Sequence, residues 1–122
     1  MVESNCKIIK KMKTVIIFGA TGGIGAYTAL HLSNCKEYNV IAVGHRKSDN
    51  GFFEQYGIRY LSVDIADYKT FEILPSENVD AVINHAGVLP ARSYDPRMYI
   101  QSFTMGQLNV LEYTCIDNSI FV

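Results

Sequence analysis

The run "KTVIIFGATGGIGAYTALHL", Lys13 to Leu32, constrains this chain more than any other stretch. Val15 to Phe18 is short, apolar and β-rich, and it ends at glycine, as a strand buried on both faces does. Gly19, Gly22 and Gly25 follow at GxxGxxG spacing, and Ile24, Thr28 or Ala29, and Leu32 then recur at helical spacing up to Asn34. The order is strand, turn, helix. In that setting each glycine has its own task. Gly19 permits the tight turn, Gly22 lets backbone amides approach a pyrophosphate, and Gly25 lets the helix lie close to the sheet. The helix start adds free N–H donors and the positive end of its dipole. Thr21, Gly23 and Ile24 belong to the same candidate cradle. A Walker P-loop is excluded, because no GK[ST] closes the loop.

The same run is uncharged from Thr14 to Leu32 and follows Lys7, Lys10, Lys11 and Lys13, the outline of a membrane span or a signal. Its details oppose both. Thr14, Thr21, Thr28 and His31 are polar, and each glycine inside a helix costs about 1 kcal/mol relative to alanine. No membrane partner is expected. The net charge of −1 supplies no basic field, so nucleic acid and anionic lipid are not expected as partners either.

With 122 residues, 48% hydrophobic and 19% charged, the chain has the makings of one folded domain. Residues 1–12 read as a lead-in and 13–122 as the domain. Cys6, Cys35 and Cys115 are odd in number and form no CxxC pair, which predicts incidental thiols in a reducing, cytoplasmic setting.

Further strands are predicted at Val40 to Val43, at Ile58 to Val63, and in "VDAVINHAG", which runs into a loop at His85 to Gly87. Short helices are predicted around Phe52 to Tyr56 and in "DYKTFEILPSE", the latter closed by Pro75. Asp95 as cap and Pro96 at the first helical position open the longest helix, with Ile100, Phe103, Leu108, Leu111 and Cys115 on one face. "SIFV" reads as the first residues of a fifth strand, so the sequence reads as a piece of a longer one. Strands alternating with helices imply an α/β fold, a doubly wound parallel sheet with right-handed crossovers, truncated at about the fifth strand.

A dinucleotide site needs a partner for the adenosine ribose at the end of the second strand. Here stand Gly44, His45, Arg46 and Lys47. An acid would repel a ribose 2′-phosphate, whereas a small residue and two cations leave room for it and neutralise it, which favours NADP over NAD. The alternative for Arg46 and Lys47 is a solvated pair. Asp64 at the third strand's end can accept from the adenine amino group while Ile65 covers the ring; its alternative is a capping carboxylate. Asn84, His85, Ala86 and Gly87 bring small residues to where backbone passes the cofactor, and His85 also reads as a structural residue.

GATGGIG, VDI at Val63 to Ile65, NHAG, and "MGQLNVLEY" at Met105 to Tyr113 resemble the extended short-chain dehydrogenase/reductases, the NAD-dependent epimerase/dehydratase family. The resemblance spans about Lys13 to Val122. It implies a Rossmann fold, a nicotinamide cofactor, hydride transfer on a small-molecule carbonyl or nucleotide sugar, and dimers paired through a helix matching residues 96–116. Two departures matter. The family works with a Ser or Thr and a YxxxK pair, and none of the eight tyrosines here has a lysine four residues on. In the family these residues follow the fifth strand, so this chain is expected to bind and not to catalyse, as the cofactor-binding part of a longer reductase or epimerase; the alternative is a non-catalytic NADP-sensing module. Phe103 also stands where relatives carry an asparagine, three residues before Gly106. Arg92, in a loop where relatives meet substrate, is a candidate for a phosphate or carboxylate. A receiver or flavodoxin-like domain is disfavoured, because the first loop carries a glycine triplet and no acidic cluster.

Overall fold

Two apolar strands with both faces covered form the centre of one parallel sheet. The computed structural model describes residues 12–87, 95–116 and 120–122, with the backbone alone at 116, 120 and 121. Lys13–Phe18 (β1) and Tyr38–Gly44 (β2) pair from Lys13 opposite Tyr38 to Phe18 opposite Val43. Arg59–Ser62 (β3) extends the sheet beyond β2, while Ala81–Asn84 (β4) and then Ile120–Phe121 (β5) extend it beyond β1. The order is β3-β2-β1-β4-β5, all parallel. The chain therefore winds outward from β1 in one direction and returns to start again at β4. That reversal opens a crevice at the carboxyl ends of β1 and β4, the place where open α/β sheets take ligands.

Strand alternation divides the core. Ile16, Phe18, Ile41, Val43 and Val82 join one buried cluster with Phe71, Val110 and Tyr113. Val15, Ile17, Val40 and Ala42 join the other with Ala29, Phe53 and Ile58. Gly23–Ser33 (α1) covers this second face. The first face is covered by a helical run in three contiguous parts: Pro96–Ile100 (α2), a π-helical turn Gln101–Gly106, and Gln107–Ile116 (α3). Asp95 caps it as expected, accepting from the Arg97 amide at 3.0 Å ahead of Pro96.

The long helical run buries a face other than the one expected, and α1 departs from expectation at Ile24, while Ala29 is buried and Leu32 packs on the core as expected. In α1 the buried residues are Gly25 and Ala29, whereas Ile24 is 73% exposed. A helix pressed this close to β1 leaves room for small side chains only on its inner face. In the long run, Ile100, Phe103, Leu108, Leu111 and Cys115 are all exposed, and Ser102, Gly106, Asn109, Val110, Tyr113 and Thr114 are buried. Asn109 faces the sheet here because its side chain hydrogen-bonds to the bend after β3, while the Thr114 hydroxyl donates to the Val110 carbonyl of its own helix.

The predicted strand Ile58 to Val63 shortens to β3, although Ile58 and Val63 are both buried beside it. The two short helices form as 3₁₀ turns, Glu54–Tyr56 and Tyr68–Ile73. Cys35 and Cys115 are exposed thiols. Cys6, Arg92 and nearly all of the lead-in lie outside the described residues.

Candidate dinucleotide site

The glycine loop is built by two close approaches. Gly19 has φ +76°, and a Cβ there would stand 2.5 Å from the Ala86 nitrogen and the His85 carbonyl carbon, so the loops after β1 and β4 touch backbone to backbone. A Cβ on Gly25 would stand 2.1 Å from the Gly19 oxygen, which is why helix and loop can lie together. Hydrogen bonds fix the same corner: the His85 amide donates to Phe18 at 2.9 Å, and the Ala20 amide to Val43 at 3.0 Å.

Gly22 and Gly23 behave differently. The nearest atom to a Cβ on Gly22 would be 3.5 Å away, an ordinary contact, and a Cβ on Gly23 would meet nothing within 4 Å. Neither has a positive φ. Nothing in the protein's own packing calls for glycine at either position. Both border open space at the start of α1, where Gly22 is the cap residue and no side chain caps the first turn. Free amides, a helix dipole and missing side chains together fit an incoming pyrophosphate.

The ribose corner lies at the end of β2. A Cβ on buried Gly44 would meet Thr21 Cγ2 at 2.7 Å and the Tyr60 hydroxyl at 2.8 Å. Thr21 is thereby brought from the glycine loop onto the end of β2. His45, Arg46 and Lys47 follow in an exposed turn. The Tyr60 hydroxyl donates to the Arg46 carbonyl at 2.5 Å.

Asp64 is a loop carboxylate whose Oδ1 accepts from the Ala66 amide at 3.0 Å, while Asp67 caps the following 3₁₀ turn. The Asp64 backbone amide donates to Thr70 Oγ1 at 3.0 Å, which holds the bend after β3. Ile65 lies against the helical run, where a Cβ on Gly106 would be 2.6 Å from Ile65 Cδ1.

Asn84 accepts from the Ala86 amide at 2.9 Å, and its own amide nitrogen donates to Gln107 Oε1. Gln107 Nε2 reaches the Ala86 carbonyl at 3.4 Å. His85 Nε2 pairs with Thr28 Oγ1 of α1 at 3.3 Å. Phe103 leans on Gly87, whose Cβ would be 2.9 Å from the ring, so this departure from the family's asparagine puts an aromatic edge beside the loop.

Three contributors escaped the sequence reading. Gln107 and Asn109 sit inside the quoted "GQLNVLE" but were given no task, and Asn109 Nδ2 donates to the Ile65 carbonyl at 2.8 Å. Tyr60 carried no local signal at all.

A parallel sheet with a glycine cradle at its point of reversal defines a Rossmann-type nucleotide-binding domain. A profile of the NAD dependent epimerase/dehydratase family matches residues 15–121, and the chain belongs to that family. No curated protein sequence matches it closely enough to count as a relative. Among solved structures it is similar to L-threonine dehydrogenase from Clostridium difficile, with 30% identity over 90% of this chain and 35% of that one, and a TM-score of 0.75. It is similar in fold to the Helicobacter pylori ADP-L-glycero-D-manno-heptose-6-epimerase, with 19% identity, 90% and 38% coverage and a TM-score of 0.76. A thiolation-reductase di-domain from an archaeal non-ribosomal peptide synthetase gives 21% identity, 91% and 34% coverage and a TM-score of 0.72. The chain spans about a third of the length of these structures. Among the described residues no helix is long and apolar enough to cross a membrane.

Proposed function

We propose that residues 13–122 are the dinucleotide-binding domain of an oxidoreductase or epimerase, and that the cofactor is NADP in preference to NAD. One observation carries this reading: Gly22 and Gly23 border open space at an uncapped helix start, although the fold itself needs glycine at neither. The amides of Gly23 to Gly25 would hold the pyrophosphate, and Gly19, whose carbonyl accepts from the Gly22 amide at 3.2 Å, would keep the loop tight. Arg46 and Lys47 would meet the ribose 2′-phosphate, with Gly44 and His45 leaving room for it. Asp64 and Ile65 would border the adenine, and Asn84 to Gly87 the nicotinamide half.

When bound, the nicotinamide supplies a donor or acceptor of hydride. The substrate class is a small carbonyl compound or a nucleotide sugar. A non-catalytic NADP-sensing module is the second reading. A homodimer through residues 96–116 is supported by the exposed apolar row Ile100, Phe103, Leu108 and Leu111.

Parallel fluorescence titrations of the 122-residue chain with NADPH and NADH test the site. Tighter NADPH binding that weakens in Arg46→Ala is the expected result. A folded chain that binds neither nucleotide overturns it. A full-length sequence that carries the Ser or Thr and the YxxxK pair separates the enzymatic reading from the sensing one.

A further inference from the structure

The hydroxyl of Tyr60, on β3, meets both the end of β2 at Gly44 and the turn that follows it at Arg46. The Tyr60 ring stacks on buried Phe53, with centroids 5.9 Å apart and planes 5° from parallel. Its hydroxyl donates to the Arg46 carbonyl at 2.5 Å. That same oxygen stands 2.8 Å from where a Cβ on Gly44 would be, with Thr21 Cγ2 closing the other side at 2.7 Å.

Beside this corner is an open cleft of about 390 Å³, lined by Lys47, Ser48, Asp49, Arg59 and Tyr60 among others. The turn from His45 to Lys47 is exposed and reaches this cleft at Lys47. Among the described residues, the Tyr60 hydroxyl makes the one hydrogen bond that ties His45, Arg46 or Lys47 to another element. Burial raises the Tyr60 pKa, the Asp49 carboxylate adds to the rise and the Arg46 guanidinium opposes it. The phenol thus keeps its proton at neutral pH and remains a donor.

We infer that Tyr60 is a positioning residue for nucleotide selection: its hydroxyl excludes a side chain at position 44 and holds the Arg46–Lys47 turn where both cations can meet a ribose 2′-phosphate. This rests on the reading of Arg46 and Lys47 as a phosphate clamp. A carboxylate at position 44, which would favour an unphosphorylated ribose, has no room while the phenol and Thr21 are in place. Release of the carbonyl would let the turn swing over the cleft and carry the cations with it. Contacts at the glycine loop and the adenine bend do not pass through Tyr60, so affinity for the rest of the nucleotide is independent of it.

The test is calorimetric titration of the chain and of Tyr60→Phe with adenosine 2′,5′-bisphosphate and with AMP. The variant keeps the ring on Phe53 and loses only the oxygen. Wild type is expected to prefer the bisphosphate. Tyr60→Phe is expected to lose about tenfold of that affinity, the scale of one well-placed hydrogen bond, with AMP binding unchanged. Equal losses for both ligands would reduce Tyr60 to a general packing residue and overturn the inference, as would no loss for either. If wild type itself fails to distinguish the two ligands, the phosphate clamp falls and this inference falls with it.

Discussion

Asn109 of α3 is buried beneath the site, and its side-chain amide donates to the Ile65 carbonyl at 2.8 Å, 44 residues earlier in the chain. Two positions before it, Gln107 engages Asn84 and the Ala86 carbonyl. One helix start thereby braces the bends after β3 and β4 together. Asn109→Leu removes the donor and leaves a carbonyl short of its partner, so we expect a loss of about 1–3 kcal/mol in unfolding free energy. Urea denaturation measures it. An unchanged midpoint would mean that the bend after β3 holds its shape alone.

The glycines of the loop separate into two kinds, and alanine substitution should tell them apart. Gly25→Ala sets a Cβ 2.1 Å from a backbone oxygen. We expect it to destabilise the fold by about 2–4 kcal/mol. Gly22→Ala meets no atom closer than 3.5 Å, so its cost should stay near the preference of glycine over alanine at a helix cap, about 1 kcal/mol, while NADPH affinity falls at least tenfold. Gly23→Ala, at the start of α1, should gain about 0.5–1 kcal/mol of stability and lose affinity in the same way. Paired melting and titration experiments check all three. Full binding by Gly22→Ala would remove the reason for reading this loop as a cradle.

The outward row of the helical run gives a prediction about assembly. Ile100 is 60% exposed, Phe103 51%, Leu108 55% and Leu111 43%, a concentration of apolar surface that single exposed residues do not make. Sedimentation velocity should find the wild-type chain as a dimer and Leu108→Glu/Leu111→Glu as a monomer with an unchanged circular dichroism spectrum. A wild-type chain that sediments as a monomer at every concentration would leave the row without its proposed partner.

Much of this was written locally in the sequence. Gly19 and Gly25 announced the turn and the close helix, Asp95 and Pro96 announced the start of the long helix, and the apolar runs announced the parallel sheet. The buried face of the long helical run was not legible, because an apolar row signals burial without saying against what. Ile100 and Leu108 fit a buried face by spacing, yet the sheet side is taken by Ser102, Gly106 and Asn109, and the π turn at Gln101–Gly106 shifts the phase between them. Asn109 and Tyr60 were silent for a different reason. Each acts on a backbone carbonyl far away in sequence, 44 and 14 residues respectively, and such bonds leave no periodic trace.

Tyr60 also predicts a response to alkali. Burial and Asp49 raise its pKa above the ordinary 10.0, so the folded state holds the proton more tightly than the unfolded one. The stability it contributes is complete below pH 10 and is lost as the pH rises through the raised value. Urea midpoints compared between wild type and Tyr60→Phe should therefore converge above pH 10. A constant difference between the two across that range would contradict the protonated donor.

The most direct test is to record amide resonances of the ¹⁵N-labelled chain while NADPH is added. Binding at the glycine loop predicts the largest shifts at Gly22, Gly23 and Ile24, with further shifts at Arg46 and Lys47, at Asp64 and Ile65, and from Asn84 to Gly87. Shifts confined to other surfaces, or none in a folded chain, would contradict a dinucleotide site at the carboxyl edge of this sheet.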